Sequence, residues 1–170
     1  MRIFKTDKLE DIFHTELCDI YDAEKRLTKA LPKMAENASD PQLAARFRDH
    51  LSETEGQVKR LERVHELLDL KINSETCQAM KGLIAEAEEM IGEAQKGPVR
   101  DAAMIAAAQK VEHYEIATYG TLIAQARALG YNGEAISLLE QTLAEEKGAD
   151  QKLTELAEDH INADAQKQAA

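Results

Sequence analysis

The chain has no tryptophan, and only four tyrosines and three phenylalanines among its 170 residues. Three prolines and eight glycines leave long stretches without a breaker, and Ala, Leu, Glu, Lys and Gln dominate, which is a helical composition. Only two cysteines are present, Cys18 and Cys77. They lack metal-type spacing and are too few for a disulfide framework; they read as reduced core thiols of a cytosolic protein, with a redox pair as the alternative. No stretch is apolar for the length of a membrane span. The mixed, charged segment from Met1 to Glu10 does not read as a secretory signal. Base is also scarce: 21 Lys and Arg stand against 32 Asp and Glu, a formal charge of −11 and a pI near 4.9. That balance argues against nucleic acid and anionic membrane as partners, and it favours local accumulation of cations.

What is present is a set of four helix-length stripes read at alternating steps of three and four, the signature of one helix face. The first is Phe13, Leu17, Ile20, Glu24, Leu27 and Leu31. The second is Leu43, Phe47, His50, Glu53, Gln57, Leu61, Val64 and Leu68. The third is Ile105, Ala108, Glu112, Glu115, Tyr119, Leu122, Ala126 and Leu129. The fourth is Leu139, Leu143, Glu146, Asp150, Leu153, Ala157 and His160. Each is apolar at its ends and acidic in its middle, and none holds a Lys or Arg. Carboxylates facing one core without basic partners repel one another and suffer desolvation, so a bound metal is the simplest source of the missing positive charge. The competing arrangement turns Lys25, Arg26, Lys110 or Lys147 inward as partners.

The breakers organise these stripes into one domain spanning residues 1–170, with helices over about 7–37, 41–70, 75–95, 98–129 and 134–162. Asp7 and Glu10 have capping-box spacing, and Pro32 is placed to kink the first helix. Asp40-Pro41 reads as an N-cap followed by a first-turn proline. Ser74 can cap the short third helix, Gly97-Pro98 breaks the chain again, and Gly130 is a C-cap before the turn at Asn132-Gly133. The tail after Asn162 is expected to fray. Short loops make antiparallel neighbours, so two hairpins joined by a crossover helix are expected.

In such hairpins, residues equally far from the turn lie level. Glu24 stands 15 residues before Ser39 and Glu53 stands 14 after it. About the second turn, near 131.5, Glu115 and Glu146 lie about 16.5 and 14.5 residues away, and Glu112 and Asp150 about 19.5 and 18.5, mismatches of about 1.5–3 Å along the axis. All six acids therefore fall in one layer at mid-bundle.

Four stretches, Leu17 to Lys25, His50 to Gln57, Ala107 to Ala117 with its Glu112-His113-Tyr114-Glu115 core, and Glu145 to Leu153, resemble the bacterial YciF-like family of the ferritin-like and rubrerythrin superfamily. The resemblance covers nearly the whole chain. It implies an all-α, ferritin-like antiparallel four-helix bundle with a crossover helix, in a cytoplasmic, homodimeric stress-response protein without a securely assigned activity. The superfamily holds a dinuclear site with a Glu from each of two helices and Glu-x-x-His from each of the others. Carried over by position, Glu24 is the first-helix ligand and Glu53 the bridging or chelating Glu of the second. Glu112 and Glu115 serve the third like the paired glutamates of rubrerythrins, and Glu146 serves the fourth. The two histidines are replaced by Gly56 and Ala149, which cannot bind metal, and the nearest substitutes are Gln57 and Asp150.

The expected metal residues are thus Glu24, Glu53, Gln57, Glu112, Glu115, Glu146 and Asp150, holding two metal ions. Iron is the first choice; an oxygen shell also suits Mn, Mg or Ca. Tyr119 or Tyr21 is placed to hydrogen-bond a ligand, and His50 to do the same or to bind directly. His113 reads as structural or as part of a contact with the crossover helix, and His14, His65 and His160 as surface or bundle-end residues. Oxygen or peroxide chemistry at this site is one functional expectation. The others are a non-catalytic metal-stabilised dimer and a metal-free helical interaction module. Dimerisation is expected through a spare apolar face at Met80, Leu83 and Met90.

Overall fold

A computed structural model of the chain describes residues 6–73 and 75–168. The helices are α1 (Leu9–Asn37), α2 (Pro41–Leu67), α3 (Gln78–Glu93), α4 (Pro98–Ala128) and α5 (Gly133–Leu156). A π-helical turn (Ala157–Ile161) leads from α5 into α6 (Asn162–Gln168). No strand is present among the described residues. α1 pairs with α2 and α4 with α5, and the two hairpins close on each other through α2 against α5 and α1 against α4. α3 crosses between them, lying on α4 and α1. This is the four-helix bundle with a crossover helix that the stripes imply.

The ends of the helices differ from expectation where side chains intervene. α1 starts at Leu9 because the Asp11 carboxylate, not an Asp7–Glu10 box, accepts the N–H groups of Asp7 (3.2 Å) and Lys8 (3.1 Å). Pro32 lies inside an unbroken α1. Asp40 caps α2 as expected, its Oδ1 accepting from Gln42 (2.8 Å) and Leu43 (2.9 Å), with Pro41 in first position. α2 ends at Leu67, three residues early, because Asp69 takes a left-handed conformation (φ +50°) and turns the Leu70 N–H back onto the His65 carbonyl at 2.9 Å. Ser74 lies outside the described residues. α3 begins at Gln78 rather than 75: Cys77 donates its N–H to Asp22 Oδ2 at 2.8 Å, and its Sγ accepts from Met80 N at 3.3 Å. Gly130 supplies the expected positive φ (+68°) after α4.

The tail is not frayed through Gln168. The Gln168 side chain accepts from Val99 N at 3.1 Å and donates to Lys96 O at 3.0 Å, fastening α6 to the start of α4. The apolar face of α3 is largely covered: Met80 is fully buried and Leu83 and Ile84 pack against the core, while Met90 stays partly exposed. Among the described residues, the large hydrophobic side chains left exposed are Leu9, Ile12 and Ile72. No helix among the described residues is long and apolar enough to cross a membrane.

Candidate metal centre

Each helix delivers its polar group from inside an apolar stripe. On α1, Glu24 lies between Ile20 and Leu27, both buried, and is itself 0% exposed. On α4, Glu112 and Glu115 are three residues apart and so share a face; on α5, Glu146 follows Leu139 and Thr142 into the core. On α2 the residue that reaches this layer is His50. Glu24, Glu115 and Glu146 are fully buried, Glu112 is 2% exposed and His50 is 7% exposed. One ligand atom from each of His50, Glu112, Glu115 and Glu146 lies within 4.8 Å of all the others. His50 Nε2 is 3.2 Å from Glu112 Oε1 and 3.8 Å from Glu146 Oε2.

Apart from the His50 contacts, the Tyr119 bond to Glu24 and the approach of one carboxyl to another, Glu112 to Glu146 and Glu115 to Glu24, these groups find no donor in the protein. Glu24 Oε2, Glu112 Oε2, both oxygens of Glu115, both oxygens of Glu146 and His50 Nε2 have no hydrogen-bond partner within the protein. Glu24 Oε1 accepts from the Tyr119 hydroxyl. Burial, with the nearby charge of Glu146, pushes the Glu24 carboxyl up to about 8. Burial likewise raises Glu112 to about 8. Glu115 and Glu146 are pushed well above the usual carboxylate range, by burial first and then by neighbouring carboxylates. Burial alone lowers the His50 pKa, but the Glu53 hydrogen bond and the charges of Glu146 and Glu24 outweigh it and leave it raised. The cluster therefore behaves as a site short of positive charge.

Besides His50, which meets Glu112 and Glu146, no lysine or arginine contacts the four buried acids directly among the described residues. Arg26 is held by Asp22 at 2.6 Å, Lys110 by Glu86 at 2.7 Å, Lys25 lies over the Tyr21 ring, and Lys147 is exposed. Arg60 approaches the layer but binds Glu145 and donates to Thr142 Oγ1 (3.0 Å).

The remaining expected residues stand at the edge. The Glu53 side chain is 31% exposed, 3.4 Å from His50 Nδ1 and 3.8 Å from Lys152 Nζ. Gln57 is fully buried; its Nε2 donates to Glu145 (3.2 Å), while its Oε1 lacks a protein partner. Asp150 accepts from Gln109 (3.1 Å) and faces His113 (3.4 Å), whose ring is 71% exposed. His113 thus meets α5, not the crossover helix. His50 outranks Glu53 here, and the signal was its own place in the α2 stripe, one step before Glu53. Tyr119, also in a stripe, is the tyrosine that reaches a buried carboxylate; Tyr21 instead donates to Glu62 (2.9 Å).

A cleft of about 330 Å³ opens beside the cluster. Its walls include the apolar Leu27, Phe47, Val111 and Leu153, and its polar end includes His50, Glu53 and Glu112. The donor set, carboxylates with one imidazole and most of their inner atoms unpaired, fits a metal ion.

The two closed hairpins and this carboxylate–histidine layer define a ferritin-like helical bundle. The chain belongs to the family described as a domain of unknown function, DUF892, which matches residues 8–166. Protein YciF of Escherichia coli (strain K12) is 52% identical over 162 residues, covering 95% of this chain and 97% of that protein. The crystal structure of the E. coli stress protein YciF is similar with a TM-score of 0.88, covering 92% of this chain and 99% of that one. YcfI of Rhodopseudomonas palustris has a TM-score of 0.85 at 46% identity, covering 89% and 98%.

Proposed function

We propose that this chain is a dinuclear metal protein of a bacterial stress response, with Glu24, Glu112, Glu115, Glu146 and His50 as its inner ligands. The observation that carries the reading is the convergence of His50, Glu112, Glu115 and Glu146 on one point, with buried oxygens there and on the neighbouring Glu24 that no donor satisfies. The charge balances: four buried carboxylates carry −4, and two divalent ions with a neutral His50 bring the layer to zero. Glu53 lies at the mouth of the cleft beside Lys152; turned inward it completes the set as a fifth carboxylate, and the layer then carries −1 with the Lys152 ammonium close by. Gln57 and Asp150 flank the layer and hold neighbouring side chains in place. Iron is the proposed metal and manganese its first competitor, because an imidazole among carboxylates favours them over Mg and Ca. The stress role rests on the description of the E. coli relative as a stress protein. A cytoplasmic setting is supported by two free, buried thiols. Assembly as a homodimer, with Leu9, Ile12 and Ile72 as available apolar surface, is part of the proposal, and sedimentation of the metal-loaded chain tests it.

A bound pair of this kind supplies Lewis-acid and redox chemistry toward dioxygen or peroxide. The protein's own residues do the rest. Tyr119 donates to Glu24 and fixes its rotamer. Glu53 holds His50 through Nδ1, which leaves Nε2 aimed at the layer. The cleft, apolar along Leu27, Phe47, Val111 and Leu153, gives an oxidant a route to the cluster. Glu53, partly exposed at the mouth of the cleft and bonded to His50, is placed to take up or release a proton there.

A second reading, a metal-stabilised protein without turnover, is favoured by the provisional description of YcfI as structural. Anaerobic Fe(II) loading followed by oxygen or peroxide separates the two. An optical change with turnover of the oxidant supports the first; a metal-dependent thermal shift without turnover supports the second. Neither response contradicts both.

A further inference from the structure

The sequence places His14, Cys18 and His65 among ordinary surface, core and bundle-end residues, but the fold brings them together away from the carboxylate layer. His14 and Cys18 are four residues apart on α1 and so share a face, and His65 lies in the last turn of α2. One ligand atom from each lies within 4.8 Å of the other two. Cys18 Sγ is 3.7 Å from His65 Nε2, and the two imidazole rings meet edgewise with centroids 6.4 Å apart.

The surroundings orient these groups as ligands. His65 Nδ1 lies 2.8 Å from the Leu61 carbonyl. A carbonyl oxygen only accepts, so Nδ1 carries the proton and Nε2 presents its lone pair beside the sulfur. His14 Nε2 is fixed in the same way by the Lys71 carbonyl at 2.7 Å. An imidazole anchored by a backbone carbonyl through one nitrogen is the usual posture of a metal-bound histidine. The Asn73 N–H approaches Cys18 Sγ at 3.5 Å; burial holds the metal-free thiol above its usual range, so the thiolate forms only with a cation beside it. Cys18 is 1% exposed and His65 2%, whereas His14 is partly exposed, so entry is from the His14 side.

We propose that His14, Cys18 and His65 form a second metal site, independent of the carboxylate centre, for a borderline-soft divalent cation of the Zn(II) type. One thiolate and two neutral imidazoles discriminate against the hard cations that an oxygen shell prefers, and three protein ligands leave a fourth position for water. Binding forms a sulfur–metal bond and releases the Cys18 proton to solvent; neither imidazole gives up a proton. The bound ion ties the first turns of α1 to the last turn of α2, and through Lys71 and Asn73 it steadies the connection into α3.

Co(II) replacing Zn(II) in the chelator-treated full chain is the probe. Expected is a sulfur-to-cobalt charge-transfer band in the near ultraviolet that survives Cys77→Ser and Glu146→Gln and disappears in Cys18→Ser. His14→Ala, at a partly exposed position that the core does not need, weakens Co(II) binding at this site by at least about 10-fold. Should Cys18→Ser not fold, X-ray absorption of the Zn(II)-loaded wild type makes the same decision through a sulfur scatterer at about 2.3 Å. The proposal is overturned by a wild type without the band or scatterer, by a band that outlasts Cys18→Ser, by its loss in Cys77→Ser or Glu146→Gln, or by indifference to His14→Ala.

Discussion

Tyr119 is the residue that links packing to chemistry most directly. It is fully buried, its ring fills the α4 stripe, and its hydroxyl is the hydrogen-bond donor to Glu24. Tyr119→Phe keeps the ring and deletes the donor. Metal affinity is expected to fall about 10- to 100-fold, as for loss of an outer partner of a ligand, with the fold retained; a chelator-competition titration reads this, and unchanged affinity would mean that Glu24 is oriented by something else. The carboxylates predict an inversion of the usual rule for core mutants. Glu146→Gln removes an unpaired buried acid, so the metal-free variant should unfold at equal or higher denaturant than the metal-free wild type, by up to about 1–3 kcal/mol. Six acids were legible as a layer from sequence because helix rise and spacing are regular. That only four would lie fully inside was not, because α2 presents either His50 or Glu53 one step apart, and Lys152 draws Glu53 outward.

At the level of elements, a polar knot at one end of the bundle holds the hairpins together. Asp101, in the first turn of α4 and 1% exposed, accepts the N–H groups of Ser39 and Asp40, both at 2.8 Å. Asp40 in turn caps α2 with Oδ1 and meets His160 Nε2 at 2.9 Å through Oδ2. Asp101→Ala leaves two N–H groups without their acceptor, an expected loss of about 2–4 kcal/mol in denaturant unfolding; a loss below about 1 kcal/mol would show that water replaces the carboxylate. Local signals marked the caps at Asp40 and Gly130 well, since each depends on one residue's chemistry. The start of α3 and the ordered tail escaped because they depend on distant partners: Asp22 for Cys77, and Lys96 and Val99 for Gln168.

The whole molecule registers the buried acids as a pH dependence. Glu24 and Glu112 titrate at about 8 in the fold against 4.5 for an ordinary glutamate, so between those values the metal-free native chain keeps protons that the unfolded chain has released. Stability of the metal-free form therefore falls as pH rises through this window. The raised His50 pKa acts in the same direction, since its contribution is lost as the imidazolium deprotonates. Thermal melts in chelator from about pH 5 to about pH 8.5 should descend, and saturating metal should flatten or reverse the slope, because ions then replace the protons. A rising or flat chelated profile would contradict unpaired acids in the core. The most direct measurement is anaerobic Fe(II) titration of the wild type beside Glu146→Gln. The account predicts that two equivalents per chain bind to the wild type and are lost from the variant; equal binding by both, or none by either with melting indifferent to chelator, would contradict it.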